Sequence, residues 1–377
     1  MIASSFFGLL TGMLFGVALY KVGAVRYSRV VGMITLRDCK VMKFAFTAIA
    51  FTSMVYGLAA IMGVASSWNL VPRVMPFTGW SHLIGGVIFG TTMAVTGYCP
   101  GACMARFGHA AGIHRFAPIS AIIGLFVGIL IYSVIKMPLI DAGIIMARPQ
   151  AISLYGLMGV SYGAMALAFA VVMTIVTLLV DRFLPEKIYQ PAQELVSFTD
   201  RLRGEWHWLP AGILASCAII LSTVQGGYLG FSGSILASTA FLADLIGVPI
   251  DMLVPKINSG IIWRVGLFVG LFPGAYLASL TAIPAKGMDL NYKRKKVFSL
   301  AAIIKAFVAG NALSVGAMVG GGCTTGAFMA AFPTLSLGSF AMAGTFFVVA
   351  MAWGFLLYTR DSSIVSELQS RGNEVYD

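Results

Sequence analysis

Long apolar runs joined by short, mostly basic connections make up almost the whole chain, and this alternation restricts it to one solvent. The runs lie at about 2–20, 44–64, 81–98, 116–135, 151–180, 208–223, 228–247, 260–281, 298–319 and 335–358. About 20 apolar residues in a helix span the hydrocarbon core of a bilayer. Apolar residues are 59% of the 377 and charged residues only 10%. Soluble domains carry about 25% charged residues, and no water-soluble core could absorb so much apolar surface. The sequence therefore predicts an all-α integral membrane protein. Its 43 glycines suit close backbone packing between membrane helices. The run 151–180 is long enough to span with tilt.

The net charge of +11 does not form one patch, which excludes a nucleic-acid partner. The basic residues cluster in short connections, where the positive-inside rule puts them. Loop 21–43 carries Lys21, Arg26, Arg29, Arg37, Lys40 and Lys43 against Asp38, a net of +5. Loop 284–297 carries Lys286, Lys293, Arg294, Lys295 and Lys296 against Asp289, a net of +4. Both are expected on the cytoplasmic side. Loop 65–80 has only Arg73, with Trp68 and Trp80 as interfacial anchors. Loop 181–207 is net −1 and the tail from Arg360 net −2, so both are expected outside. No charge precedes Lys21, so the first run lacks the basic region of a cleavable signal and reads as a mature helix.

Two runs end in a glycine-framed cysteine. One reads T-G-Y-C-P-G-A-C, Thr96 to Cys103, and the other G-G-G-C-T-T-G, Gly320 to Gly326. Aligned on Cys99 and Cys323, Gly86 falls on Gly310 and Gly97 on Gly321. The loop charges fit if both segments dip into the membrane and return. That predicts an inverted repeat with halves of about 1–136 and 228–358, a connecting region 137–227 and a polar tail 359–377. Broken helices in matching positions of two halves point to a transport site.

Glycine permits the turns that such breaks need, and irregular backbone at membrane depth is tolerated only inside protein or along a cavity. Short helices starting near Ala102 and Gly326 would aim free N–H groups at that cavity and favour an anion. Pro100 suits a helix start, Thr324 and Thr325 add hydroxyl donors, and a thiol beside a helix N-terminus leans towards thiolate. The candidate substrate pathway is Cys99, Cys323, Cys103, Tyr98, Pro100, Gly101, Gly322, Thr324, Thr325 and Gly326. The plainer account, packing glycines around a buried cysteine, covers one such segment better than two. Cys103 is one helical turn from Cys99, either a second pathway thiol or a small core residue. Cys39 and Cys217 read as incidental. Arg106, Asp244, Arg264 and Lys305 lie in or beside apolar runs, where a charge is either functional or able to snorkel. Met93, Met104, Met318 and Met329 flank the cysteines as core filling or as soft contacts for a sulfur compound. His82, His109 and His114 are near in sequence, but no zinc spacing emerges, and no nucleotide-binding motif is present. No metal or cofactor is expected.

The two cysteine segments, with the N-terminal stretch G-L-L-T-G-M-L-F-G-V-A-L-Y-K-V-G-A-V-R-Y-S-R-V-V-G-M-I-T-L-R-D, resemble the YeeE/YedE-like sulfur transporter family. The resemblance implies an hourglass-shaped protein of two pseudo-symmetric halves, with short helices meeting at a central constriction. It implies uptake of thiosulfate, passed along by S–H···S and S–H···O contacts, with Cys99 and Cys323 as the pathway thiols here. Thiosulfate-transporting members carry a further cysteine in the N-terminal segment, and Val22 to Gly32 has none. Cys39 is too far along to match it and Cys103 is a candidate substitute.

The expected function is an inner (plasma) membrane permease for a small sulfur-bearing anion, thiosulfate first and sulfide, persulfide or a selenium compound as alternatives. The lipid bilayer is its setting, and a cytoplasmic sulfur-carrier or sulfurtransferase a candidate partner. A rival reading is a membrane thiol oxidoreductase cycling Cys99 and Cys323 through a disulfide. Thiol labelling during turnover separates the two, since transport keeps both thiols reduced.

Overall fold

The computed structural model describes residues 2–71, 73–108, 116–184, 186, 197–248, 250, 253–254, 256–282 and 300–358. Within them the regular structure is helical: α1 (Ile2–Val22), α2 (Tyr27–Ile34), α3 (Lys40–Ile61), α4 (Ser81–Thr96), α5 (Pro100–Phe107), α6 (Phe116–Asp141), α7 (Leu154–Met158), α8 (Tyr162–Phe183), α9 (Phe198–Arg203), α10 (Trp208–Val224), α11 (Phe231–Leu245), α12 (Ser259–Leu280), α13 (Leu300–Gly320) and α14 (Leu337–Tyr358). A π-helix, Thr324–Ala330, and a 3₁₀ turn, Phe332–Thr334, lead into α14. Eight helical spans among the described residues are long and apolar enough to cross a membrane, with α4 and α5 together forming one of 27 residues. The protein is a multi-pass membrane protein. Its outward-facing side chains include Val171, Ile175, Leu178, Val348 and Leu356, which lipid accommodates without cost.

Helix crossings on glycine set the directions of the spans. Gly8, Gly12 and Gly16 lie against Trp263, Leu267 and Leu271, so α1 and α12 run parallel. Thr52 pairs with Ser216 at 2.9 Å and Tyr56 with Thr223 at 2.6 Å, so α3 and α10 also run parallel. Gly86 and Gly90 of α4 sit on Met342 and Phe346 of α14, while Gly124 and Gly128 of α6 sit on Phe307 and Asn311 of α13. At the centre α4 crosses α13 antiparallel. A Cβ on Gly85 would stand 2.2 Å from Gly320 N, so only glycine fits that crossing.

The face where α1 ends and α3 begins holds a buried charge cluster. Glu205 accepts from Arg29 at 2.9 Å and pairs with Lys40 at 3.3 Å and Arg26 at 3.4 Å. Arg29, fully buried, also pairs with Asp38, and Lys43 pairs with Asp181 at 2.7 Å and with Glu186. The Lys21 ammonium donates to Arg203 O at 2.8 Å.

This cluster corrects the sidedness read from loop charge. Segments 21–43 and 181–207 lie on the same face. Helix α14 also ends towards that face, because Tyr358 at its end pairs with Tyr27 at 2.8 Å. The positive-inside rule counts Lys and Arg and gives Asp and Glu little weight. Segment 181–207 has Arg182, Lys187, Arg201 and Arg203, and its acids neutralise bases on 21–43. Residues 284–297 and the tail itself lie outside the described residues.

The re-entrant expectation is corrected with it. Ser81 N–H bonds Ile144 O at 3.0 Å on the opposite face, and Arg106 at the end of α5 reaches Val25 O beside the charge cluster. The first broken segment therefore runs through and does not return. The second also runs on: Gly320 ends α13 beside Gly85, and Ser336 then bridges to Ser153 on that same side. Two local readings change as well. Segment 21–43 contains α2, with Val30, Val31 and Ile34 buried. The run 151–180 is two helices, because Gly159 at φ +66° ends α7 before α8 begins.

Candidate functional site

Both cysteine segments are breaks between a long helix and a short one. Gly97, at φ +61°, ends α4, and Gly321, at φ +88°, follows the end of α13. L-residues with side chains pay about 1–2 kcal/mol for that conformation. Each cysteine then occupies the N-cap position of the short helix, Cys99 on α5 and Cys323 on the π-helix. Pro100 sits at the first helical position of α5, as expected. The short helices start at Pro100 and Thr324, two residues ahead of the expected starts. The second is a π-helix, a form common at functional sites.

The two cysteines are brought together. Thr324 lies beside the Cys99 thiol, and Cys323 is within direct electrostatic reach of it. Cys99 Sγ also accepts from Ala102 N–H at 3.4 Å. Sulfur is a weak acceptor, and Ser, Thr, Asn or Asp would cap this helix better. The thiol is therefore not the residue that stability would select there. Cys323 is fully buried and Cys99 half-buried, so Cys99 has the more open side.

The remaining candidates gather around this pair. Gly326 lies against Gly230, and the Tyr228 hydroxyl donates to Gly326 O. Gly101 lies against Phe231. The start of α11 thus touches both short helices. Gly322 and Thr325 are buried beside Cys323. The Tyr98 ring lies under the Arg106 guanidinium at 4.5 Å. Cys103 is fully buried one turn into α5, its N–H bonded to Cys99 O at 3.0 Å. Met93 and Met329 belong to the packed core.

The charged suspects separate. Arg106 does not snorkel: it is buried, its Nη2 donates to Gly97 O at 3.1 Å and its Nε to Val25 O, tying the α1–α2 break to the α4–α5 break. Asp244 and Lys305 are exposed near helix ends. Arg264 is half-buried and lines a cavity with Arg73 and Tyr228. His82 is fully buried with both ring nitrogens engaged. Gly320 O can only accept, so Nδ1 carries the proton at 2.7 Å, and Nε2 accepts from Thr78 N–H at 3.0 Å. His82 therefore anchors the end of α13. His109 and His114 lie outside the described residues, and no group of three or more metal-ligating side chains occurs among those described. Cys39 is buried in the charge cluster, and burial pushes its thiol up to about 11. Cys217 is exposed on α10.

Sequence reasoning divided the runs 208–223 and 228–247 but did not bring Tyr228, in the break before α11, to the site. The signal was available as G-G-Y-L-G between two short apolar runs.

The family described as sulphur transport matches residues 27–353. The chain belongs to that family. It is also 22% identical to the thiosulfate transporter TsuA of Spirochaeta thermophila over 365 residues, covering 92% of this chain and 97% of that protein. Both comparisons are to transporters rather than enzymes, and this chain is a sulphur transport protein of the membrane.

Proposed function

We propose that the protein is an inner-membrane permease that takes up thiosulfate through a constriction whose central groups are the thiols of Cys99 and Cys323. The observation that carries this reading is the approach of two N-cap cysteines from distant helix breaks, with the start of α11 touching both short helices. The terminal sulfur of thiosulfate accepts a weak S–H donor, and its oxygens accept Thr324, Thr325 and backbone N–H groups. Weak donors suit a pathway, which must admit the ion and also release it. Each handover exchanges hydrogen bonds and makes no covalent bond.

Helix pairing supports the two inverted halves of this reading, with a central narrowing between them. The packing of α1 on α12 corresponds to that of α10 on α3, and α4 on α14 corresponds to α6 on α13. Gly86 and Gly310, aligned by sequence, do the same work on α14 and α6. On this account the halves are α1–α6 and α10–α14, so the second begins at Trp208 rather than near 228. The charge cluster marks the cytoplasmic face, where the ion would pass to a sulfur-carrier or sulfurtransferase protein.

Cys99→Ser and Cys323→Ser test the reading in cells that lack their own thiosulfate uptake. Serine caps a helix at least as well as cysteine, so folding is preserved. Growth on limiting thiosulfate should fail in both variants. Wild-type growth in both would remove the thiols from the pathway. Wild-type growth on sulfide or selenite but not on thiosulfate would change the substrate.

A further inference from the structure

Two adjoining cavities lie on the face opposite the charge cluster, of about 220 and 160 Å³. They share three lining residues: Arg73, Tyr228 and Arg264. The smaller is also lined by Gly322, which precedes Cys323, and by Gly326, where a Cβ would stand 3.9 Å from Cys323 Sγ. The guanidinium groups therefore line the same cavity as the backbone beside one of the thiols.

The charge there is unbalanced. No carboxylate of the described residues lines either cavity, and neither Arg73 nor Arg264 forms an ion pair or hydrogen bond among them. The two are close enough to repel each other. Elsewhere the described chain gives its buried cations partners: Arg29, Lys40 and Lys43 pair with carboxylates, and Lys21 and Arg106 donate to backbone carbonyls. Two like charges held together, one of them half-buried, cost free energy that a bound anion returns. Arg264 crosses the first turn of α11, its Nη1 3.3 Å from the position of a Cβ on Gly233. The Ser232 hydroxyl lines the same cavity. Paired guanidinium groups recognise oxyanions by charge-assisted hydrogen bonds, which are about twice as strong as neutral ones.

We propose that Arg73 and Arg264 form a capture site for a divalent sulfur oxyanion, the station that loads the thiol pathway. The proposal rests on the transport reading and narrows it. Two cations with no carboxylate beside them among the described residues favour a dianion over singly charged hydrosulfide or persulfide. The site reads charge and oxygen, whereas the thiols read the terminal sulfur. Sulfate, which has the charge and oxygens but no terminal sulfur, should therefore occupy the capture site and compete with thiosulfate.

The test is calorimetric titration of the purified full chain with thiosulfate and with sulfate, alongside uptake of labelled thiosulfate into proteoliposomes. Wild type should bind both ions, more weakly as salt rises. Arg73→Gln with Arg264→Gln should weaken both at least about tenfold, a loss of about 1.4 kcal/mol, and raise KM for uptake. Arg73→Lys with Arg264→Lys should recover part of the affinity, which a fold defect would not allow. Wild type that binds neither ion, or a double Gln variant that binds and takes up thiosulfate as wild type does, overturns the capture site. Failure of the transport reading looks different: both ions bind through the arginines, yet no labelled thiosulfate enters.

Discussion

Replacing Glu205 by Gln removes one carboxylate that serves three cations, Arg29 at 2.9 Å, Lys40 at 3.3 Å and Arg26 at 3.4 Å. Breaking a buried ion pair by removing one partner costs about 3–5 kcal/mol, because the remaining charge is left uncompensated. The lower end applies here. The Glu205 side chain is 16% exposed, and Arg29 keeps Asp38. With an unfolding entropy of about 2.1 cal/mol/K per residue, 3 kcal/mol lowers the midpoint by about 4 °C for this chain length. The assay is a thermal melt of the purified protein in detergent at pH 7, wild type against Glu205→Gln. Burial alone would raise the Glu205 carboxyl, but Arg26, Lys40 and Arg29 outweigh it and hold the group below its ordinary value of 4.5. A depressed carboxyl stabilises the fold above its unfolded pKa and loses that contribution as pH falls through its folded pKa. The difference between the two proteins should therefore be complete at pH 7 and shrink only below about pH 4.5. Equal midpoints at pH 7 would refute the view that this carboxylate holds α1, α2 and α3 together.

Three further outcomes follow from the geometry. Gly85→Ala puts a methyl group 2.2 Å from the Gly320 backbone, so α4 and α13 must separate. Overpacking of this kind costs about 1–3 kcal/mol, and a drop in folded yield measured by size-exclusion chromatography checks it; an unchanged yield and melting point would mean that the crossing is looser than described. His82→Ala leaves Gly320 O and Thr78 N–H without partners. That should cost about 1–3 kcal/mol and weaken uptake through the displaced second break, whereas wild-type melting and uptake would count against an anchoring role. Gly97→Ala forces a Cβ into the left-handed region beside the Tyr27 ring. Tyr27→Ala removes the steric part but also the bond to Tyr358, so Gly97→Ala should lower the melting point less in a Tyr27→Ala chain than in the wild type. If it does not, the ring is not what excludes a side chain.

Helices, breaks and thiols were readable from residue order, because each depends on local chemistry. Apolar length fixes a membrane span, and glycine beside cysteine marks where a helix stops. The alignment of Gly97 with Gly321 anticipated two left-handed residues at matching places, and Pro100 marked the start of α5. Sidedness was not readable, because the charges that encode it are paired across distant segments. Lys43 counts as a free cation in sequence and as the partner of Asp181 in space. The same is true of Arg264 and Arg73. In sequence one is a charge able to snorkel and the other a lone loop residue, and only the fold brings the connection after α3 and the first turns of α12 to one cavity. The sequence by itself determined a membrane solvent, helical spans and two thiols on helix breaks. The tertiary structure decided that those thiols come within electrostatic reach of each other, that both broken segments run through rather than return, and which cations stand near them with no carboxylate partner among the described residues. A local pattern specifies a helix and its end, but electrostatic neutralisation and helix crossing are sums over neighbours that only the folded chain supplies.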